Sequence, residues 1–287
     1  MTIITALLAL GGLTLLLALM LIVANTKLYV YEDPRVDEVE SMLPHANCGA
    51  CGYPGCRPFA EALVKGDMLP GKCTVSSEDG RKAIASYLGV DAGAEEKRVA
   101  RLACAGGINV AVNRAKYEGL SSCRGAALIS GGGKGCSWGC LGHGDCEKVC
   151  DFDAISMNEF GLPVVDEAKC TACGDCVEVC PKDLFSLHPI SQRLWVACKS
   201  QEAGDGVLED CEVGCTACGK CAMDAPDLIT MKYNLPVINY SGRHQTQLPI
   251  QRCPTGAIVW LDEKAGPIKG PEAKKIIRKG KLKMGES

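Results

Sequence analysis

The hydrophobic pattern divides the chain into regions of very different character. Ile3 to Ala24 reads IITALLALGGLTLLLALMLIVA, and no charged residue occurs between Thr2 and Thr26. At about 1.5 Å per residue, such a run spans the roughly 30 Å of a bilayer core, so residues 1–26 are predicted to form a transmembrane anchor. A cleaved secretory signal fits less well. The segment has no basic start, is too long, and lacks a small-residue cleavage site. Lys27 and Arg35 lie beside Glu32 and Asp33 after the helix, and they lean towards a cytoplasmic body. No second apolar run of this length follows, so the chain alone supplies neither pore nor carrier.

Beyond the anchor the pattern becomes short and amphipathic. Asp33-Pro34 reads as an N-cap followed by proline at the first helical position. Val36, Val39 and Leu43 then recur at helical spacing. Arg57-Pro58 starts a second short helix, FAEALVKG, which Gly66 stops. Residues 77–100 are charged and contain Gly80, Gly89 and Gly93, as a linker would. The expectation is an α+β chain: anchor 1–26, a small helical 4Fe–4S domain 27–76, and linker 77–100. Two ferredoxin-like modules follow, 101–190 and 191–262, and then a basic tail, 263–287.

Composition explains why the units are small. Among 287 residues there are 20 Cys and 33 Gly but only 14 aromatic residues, too few for one large core. The net charge of -3 argues against nucleic acid as a partner. From Lys264 onward eight Lys or Arg and two Glu give +6, leaving -9 on the rest. Such a tail reads as solvated, or as a docking arm for an acidic partner or anionic surface.

The cysteines carry the chemistry. Cys48, Cys51, Cys56 and Cys73 follow C-x2-C-x4-C-x16-C, with glycines that let backbone amides approach cluster sulfurs. Zinc sites usually group their ligands in two pairs, and disulfides are disfavoured on the reducing side of a membrane. Further on, Cys170, Cys173, Cys176 and Cys180, followed by Pro181, form the run C-x2-C-x2-C-x3-C-P. In two-cluster ferredoxins the fourth Cys of this run serves the other cluster. Cys150 is therefore expected to complete the set of Cys170, Cys173 and Cys176. Cys180 is expected to join Cys140 and Cys146. The fourth member of that last set is open: Cys136 is favoured, His143 occupies the place of a middle cysteine, and Cys104 or Cys123 is the remaining alternative.

The module repeats. Cys136-x3-Cys140-x5-Cys146 matches Cys211-x3-Cys215-x5-Cys221, Leu162-Pro-Val-Val matches Leu235-Pro-Val-Ile, and Cys180-Pro181 matches Cys253-Pro254. VACKS at 196–200 also resembles LACAG at 102–106. In the second copy Cys150, Cys170, Cys173 and Cys176 are replaced by Ala225, Arg243, Thr246 and Pro249, the complete set of one cluster. Cys215, Cys218, Cys221 and Cys253 remain for the other. Concerted loss is reasonable, because a half-coordinated site would bury thiols and forfeit the metal's binding energy. Four 4Fe–4S clusters are thus expected, with Cys104, Cys123, Cys198 and Cys211 left unassigned and buried free thiols as their simplest reading.

Iron–sulfur clusters in series move single electrons. Dinucleotide-binding, phosphate-loop, zinc-protease and nucleophile-elbow motifs are missing, and Gly131-Gly-Gly-Lys-Gly135 reads as a flexible turn. The chain therefore carries no complete active site of its own.

An apolar N-terminal helix, then LPHANCGACGYPGCRPFAEAL with Cys73, then ferredoxin motifs, resembles the B subunits of Rnf complexes, the ion-translocating ferredoxin:NAD+ oxidoreductases. The resemblance covers nearly the whole chain. It implies a single-pass iron–sulfur subunit of the cell inner membrane, with its clusters on the cytoplasmic side, exchanging electrons with soluble ferredoxin. It also implies partner subunits carrying flavin, an NAD(H) site and the ion path. The second module departs from the short form of that family. Competing readings are a membrane-bound donor to a redox sensor or nitrogenase reductase, and a zinc-binding interaction scaffold.

Overall fold

The computed structural model describes residues 2–28, 32–241 and 246–274. Helix α1 (Thr2–Leu28) contains a 22-residue stretch of mean hydropathy 2.7, none of it buried against the rest of the protein. An apolar surface of that length, left bare by its own chain, belongs in lipid.

A small helical domain follows. Asp33 caps α2 (Pro34–Met42) through a side-chain bond to the Arg35 N–H, as its Asp-Pro start suggests. The helix α3 (Cys56–Lys65) ends at Gly66, whose left-handed conformation lets its N–H reach back to Ala62 and Leu63. Val36, Val39, Leu43, Phe59 and Leu63 form the domain core together with Ile84. Ile84 lies on α4 (Glu78–Leu88), which starts at a Ser77 cap and stops at Gly89. The expected linker 77–100 is therefore largely structured. Its charges are the solvent face of α4, one of its glycines is a helix stop, and its last residues open the next unit.

That unit starts at β1 (Arg98–Leu102). The rest of the first module comprises α5 (Cys123–Leu128), α6 (Asp145–Lys148), β2 (Ile155–Met157), β3 (Pro163–Val165), α7 (Asp175–Val179) and β4 (Phe185–Pro189). The second comprises β5 (Leu194–Val196), α8 (Val207–Asp210), α9 (Lys220–Asp224), β6 (Ile229–Lys232), β7 (Leu235–Ile238), β8 (Ile258–Asp262) and β9 (Gly266–Ile268). The two share a plan. Antiparallel β1–β4 and β5–β8 join the ends of each module, and the hairpins β2–β3 and β6–β7 lie within them. Where the first copy has α7, the second has a short 3-10 turn, Leu248–Ile250. The α+β expectation is met.

The modules are docked on one another. The Trp195 indole N–H donates to the Leu102 carbonyl at 2.8 Å, and the Trp195 ring meets His188 edge-on at 4.8 Å. Ala111 and Cys211 form a β-bridge, flanked by bonds from Val112 N–H to Asp210 O and from Glu212 N–H to Val110 O. The first half of the expected tail is also folded. β9 adds a third strand beside β8, and the Lys274 N–H reaches Pro254 O. The remainder of the tail, 275–287, lies outside the described residues.

Candidate iron–sulfur sites

All 20 cysteines are free thiols, and 16 of them line four small cavities, four to each. Cys48, Cys51, Cys56 and Cys73 line a cavity of about 310 Å³. The loop between Asn47 and Cys56 is held closed by the Asn47 amide oxygen, which accepts the Cys56 N–H at 2.8 Å. Cys73 arrives on the tight turn Pro70–Lys72, where Gly71 donates to Ala92 O. A Cβ on Gly71 would collide with the carbonyl oxygens of Ala92 and Gly93, so only glycine fits.

Cys150, Cys170, Cys173 and Cys176 line a second cavity, also about 310 Å³. Cys150, from the first hairpin's entry, thus meets three cysteines of the later run. Backbone amides reach these sulfurs: Ala100 N–H donates to Cys170 Sγ and Ala154 N–H to Cys150 Sγ, each at 3.4 Å. Cys215, Cys218, Cys221 and Cys253 line a third cavity of about 360 Å³, although Cys253 is distant in sequence. The loops Cys170-Thr-Ala-Cys-Gly and Cys215-Thr-Ala-Cys-Gly share one conformation, with positive φ at Ala172 and Ala217 as well as at Gly174 and Gly219. Alanine is disfavoured there by about 1–2 kcal/mol, so the fold holds the same strained turn in both loops.

A fourth group gathers around Cys146, which packs in one cluster with Cys180 and whose thiol is pushed up by burial and by the neighbouring Cys140, Cys123 and Cys180. Cys136 lines a different cavity with Cys104, Cys198 and Cys211. Cys123 begins α5, with Ser122 capping that helix through the Gly125 N–H, and the Asp145 carboxylate accepts the neighbouring Arg124 N–H. Those bonds dock Cys123 beside α6, which carries Cys146. Cys136 sits four residues before Cys140, but its chain turns away to the joint between the modules. His143 is not drawn into the thiol group. It lies between left-handed glycines and meets the Tyr117 ring at 5.4 Å.

The site lost from the second copy is closed by packing. Ala225 joins a core of Leu194, Leu228, Ile229, Ile250 and Ile258, and Pro249 is buried in the adjoining turn. Thr246 lies just before it, and Arg243 lies outside the described residues.

The donor set suits clusters rather than single ions. Burial pushes the Cys140, Cys146 and Cys176 thiols up to about 12 and Cys215 and Cys221 to about 11. Such thiols need concentrated positive charge to become thiolates. Zinc–sulfur bonds of about 2.3 Å would require the sulfurs to close to about 4 Å of one another. Among the described residues no group of three or more Cys, His, Asp or Glu is drawn together tightly enough for a single metal ion. Four cysteines around each cavity, with backbone amides donating to the sulfurs, are the features of an iron–sulfur electron-transfer protein.

Comparison with known proteins narrows that class. Residues 43–75 match the family described as "Putative Fe-S cluster", and residues 136–185 match the 4Fe-4S dicluster domain. The chain is 41% identical to the B subunit of the Na+-translocating ferredoxin:NAD+ oxidoreductase complex of Acetobacterium woodii, over 87% of this chain and 75% of that protein. It is 42% identical to the B subunit of the ion-translocating oxidoreductase complex of Methanosarcina acetivorans, over 76% and 82% respectively. It is 38% identical to the B subunit of the proton-translocating ferredoxin:NAD+ oxidoreductase complex of Clostridium ljungdahlii, over 90% and 92%. The chain belongs to the family of B subunits of the ion-translocating oxidoreductase, or Rnf, complexes. It is an iron–sulfur electron-transfer subunit of such a complex, with an N-terminal membrane helix.

Proposed function

We propose that the chain carries electrons between soluble ferredoxin and partner subunits that hold flavin, an NAD(H) site and the ion path. The observation that supports this is the convergence of four cysteines on each of several similar-sized cavities, within a chain of this family. Four sets would each hold a 4Fe–4S cluster. They are Cys48, Cys51, Cys56 and Cys73; Cys150, Cys170, Cys173 and Cys176; Cys123, Cys140, Cys146 and Cys180; and Cys215, Cys218, Cys221 and Cys253. A cluster supplies reversible one-electron chemistry, and the chain's own amides set its potential by donating to the sulfurs. In this reading α1 is a single pass through the inner membrane, with the cysteines on the cytoplasmic side.

The test is purification of the membrane complex under anaerobic conditions. Flavin- and NAD-binding subunits should accompany the full chain, and reduced ferredoxin should bleach its iron–sulfur absorbance. Co-purification with a nitrogenase reductase or a sensor instead, or a colourless zinc-loaded chain, would refute the reading.

A further inference from the structure

We propose that Cys104, Cys136, Cys198 and Cys211 hold a further 4Fe–4S cluster across the joint between the two modules. These are cysteines that neither ferredoxin motif uses. They line one cavity of about 360 Å³, the size of the cavity around Cys215, Cys218, Cys221 and Cys253. None forms a disulfide.

The duplicated architecture explains the arrangement. Cys104 and Cys136 come from the first copy, and Cys198 and Cys211 occupy the matching places in the second: LACAG against VACKS, and Cys136 against Cys211 in the repeated spacing. Each copy thus brings two ligands, and docking the copies completes a set of four. Neither module alone can build the site. The β-bridge between Ala111 and Cys211 and the small apolar cluster of Val110, Ala111 and Val213 hold the halves together beside it.

The surroundings are those of a cluster. The Cys140 N–H donates to Cys104 Sγ, and the Cys215 N–H donates to Cys198 Sγ, both at 3.4 Å. This is the amide-to-sulfur bond seen at Cys150, Cys170 and Cys180. Gly106 faces the same space: a Cβ there would stand 3.0 Å from Cys211 Sγ and 3.8 Å from Cys104 Sγ. A side chain there would crowd Cys211 Sγ, so the glycine lets the backbone lie close to that sulfur. Lys134 lines the cavity too, its ammonium bonded to the carbonyls of Gly106 and Cys140, and so places a positive charge beside a ligand set that is negative overall. Four free thiols would gain nothing from this convergence.

The position gives the site a role. Cys140 belongs to the last group of the first module and Cys215 to the group of the second, and each is one hydrogen bond from a sulfur of the joint. Elsewhere Thr74, next to Cys73, donates through its hydroxyl to Thr171 O, between Cys170 and Cys173, at 2.6 Å. Cys176 and Cys146 in turn pack in one cluster of side chains with Cys150, Cys170 and Cys180. The five groups therefore follow one another in a line, and the joint is the fourth. With clusters bound, these residues would place the joint so that an electron could enter from the second module and leave to the first, one in and one out, with no bond made or broken.

The test is iron and acid-labile sulfide per full-length chain, purified anaerobically in detergent, with electron paramagnetic resonance of the reduced protein. The wild-type chain should hold about twenty irons, and the double variant Cys104→Ser, Cys198→Ser about sixteen, at four irons per cluster. Loss of one spin system should accompany the loss of iron. That decrement is independent of partner identity, so it can fail while the proposed function stands, and the converse also holds. A double variant that keeps the wild-type iron and sulfide would overturn the proposal. So would one zinc per chain lost with these cysteines. Should the double variant not fold, the wild-type count decides: about twenty irons supports the fifth cluster, and about sixteen refutes it.

Discussion

Phe59→Ala tests whether the first cysteine group depends on the small core beneath it. Phe59 is 1% exposed, packed with Val39, Leu63 and Ile84, and its ring lies 5.8 Å from that of Tyr53. It also lines the cavity of Cys48, Cys51, Cys56 and Cys73. Truncating a buried Phe to Ala costs about 3–5 kcal/mol. A unit of about sixty residues, at about 0.05–0.15 kcal/mol per residue, has a total stability of about 3–9 kcal/mol. The substitution therefore removes about a third or more of what holds the metal-free domain together, and it opens a void against the sulfurs. The full-length variant should lose about four irons on brief exposure to air while the clusters of the two modules persist. Phe59→Leu, costing about 1–2 kcal/mol, should retain them. Iron analysis and visible absorbance against time provide the assay. If Phe59→Ala keeps all its iron at the wild-type rate of loss, the core does not support this site and the reasoning fails.

Gly71→Ala forces a Cβ into the carbonyls of Ala92 and Gly93, so it should displace Cys73 and lower the iron content by about four per chain, while Gly206→Ala, which meets nothing, should be silent. Arg101→Met leaves the Glu167 carboxylate without the buried partner that now holds it, and chemical denaturation should show a loss of about 3 kcal/mol. Burial holds His188 below the ordinary histidine value, so the folded state binds fewer protons than the unfolded one. Stability should then fall as pH drops through about 6.5 and below, and His188→Gln should flatten that slope in denaturation midpoints. Deleting residues 275–287 removes five Lys or Arg and one Glu; electron exchange with acidic ferredoxin should slow at low salt and equal wild type at high salt, as stopped-flow traces would show.

Local spacing makes much of the site readable in the sequence alone. The C-x2-C-x2-C-x3-C-P run has one geometry, so the meeting of Cys150 with Cys170, Cys173 and Cys176 follows from the crossing rule. The concerted replacement of Cys150, Cys170, Cys173 and Cys176 is equally visible. The expectation for Cys136 rests on nearness in sequence, whereas the structure places Cys136 beside Cys104, Cys198 and Cys211. The repeat points the same way. Cys136 matches Cys211, and the second module's set is complete without Cys211, so Cys136 has no place in the first module's set either. His143 marks the ligand missing there, and Cys123, which has no counterpart in the second copy, stands beside that gap. What no spacing can supply is the docking of the copies, which depends on Trp195 and the bridge at Ala111. The helix α4 is hidden for another reason: most of its 11 residues are polar, charged or solvent-facing, and only Ile84 and Ala85 are buried.

The degenerate second module follows from a linear carrier. In a row of clusters each interior site needs two neighbours and an end site needs one. In the first module, the set around Cys176 faces the small helical domain through Thr171, and the set around Cys146 faces the joint through Cys140. In the proposed row both would be interior, and losing either would cut it. In the second module, the set around Cys215 faces the joint through Cys215 itself. The position of Ala225 and Pro249 lies beyond it, with no group of the described residues to receive an electron. A cluster there would extend the line past its terminus, and its replacement by Ala225 and a packed turn beside Ile250 and Leu228 trades a metal centre for apolar burial. The surviving terminal group has the one exposed cysteine of the chain, Cys218. If that end meets the soluble redox partner proposed above, its cluster would have to lie near the surface, where Cys218 already stands.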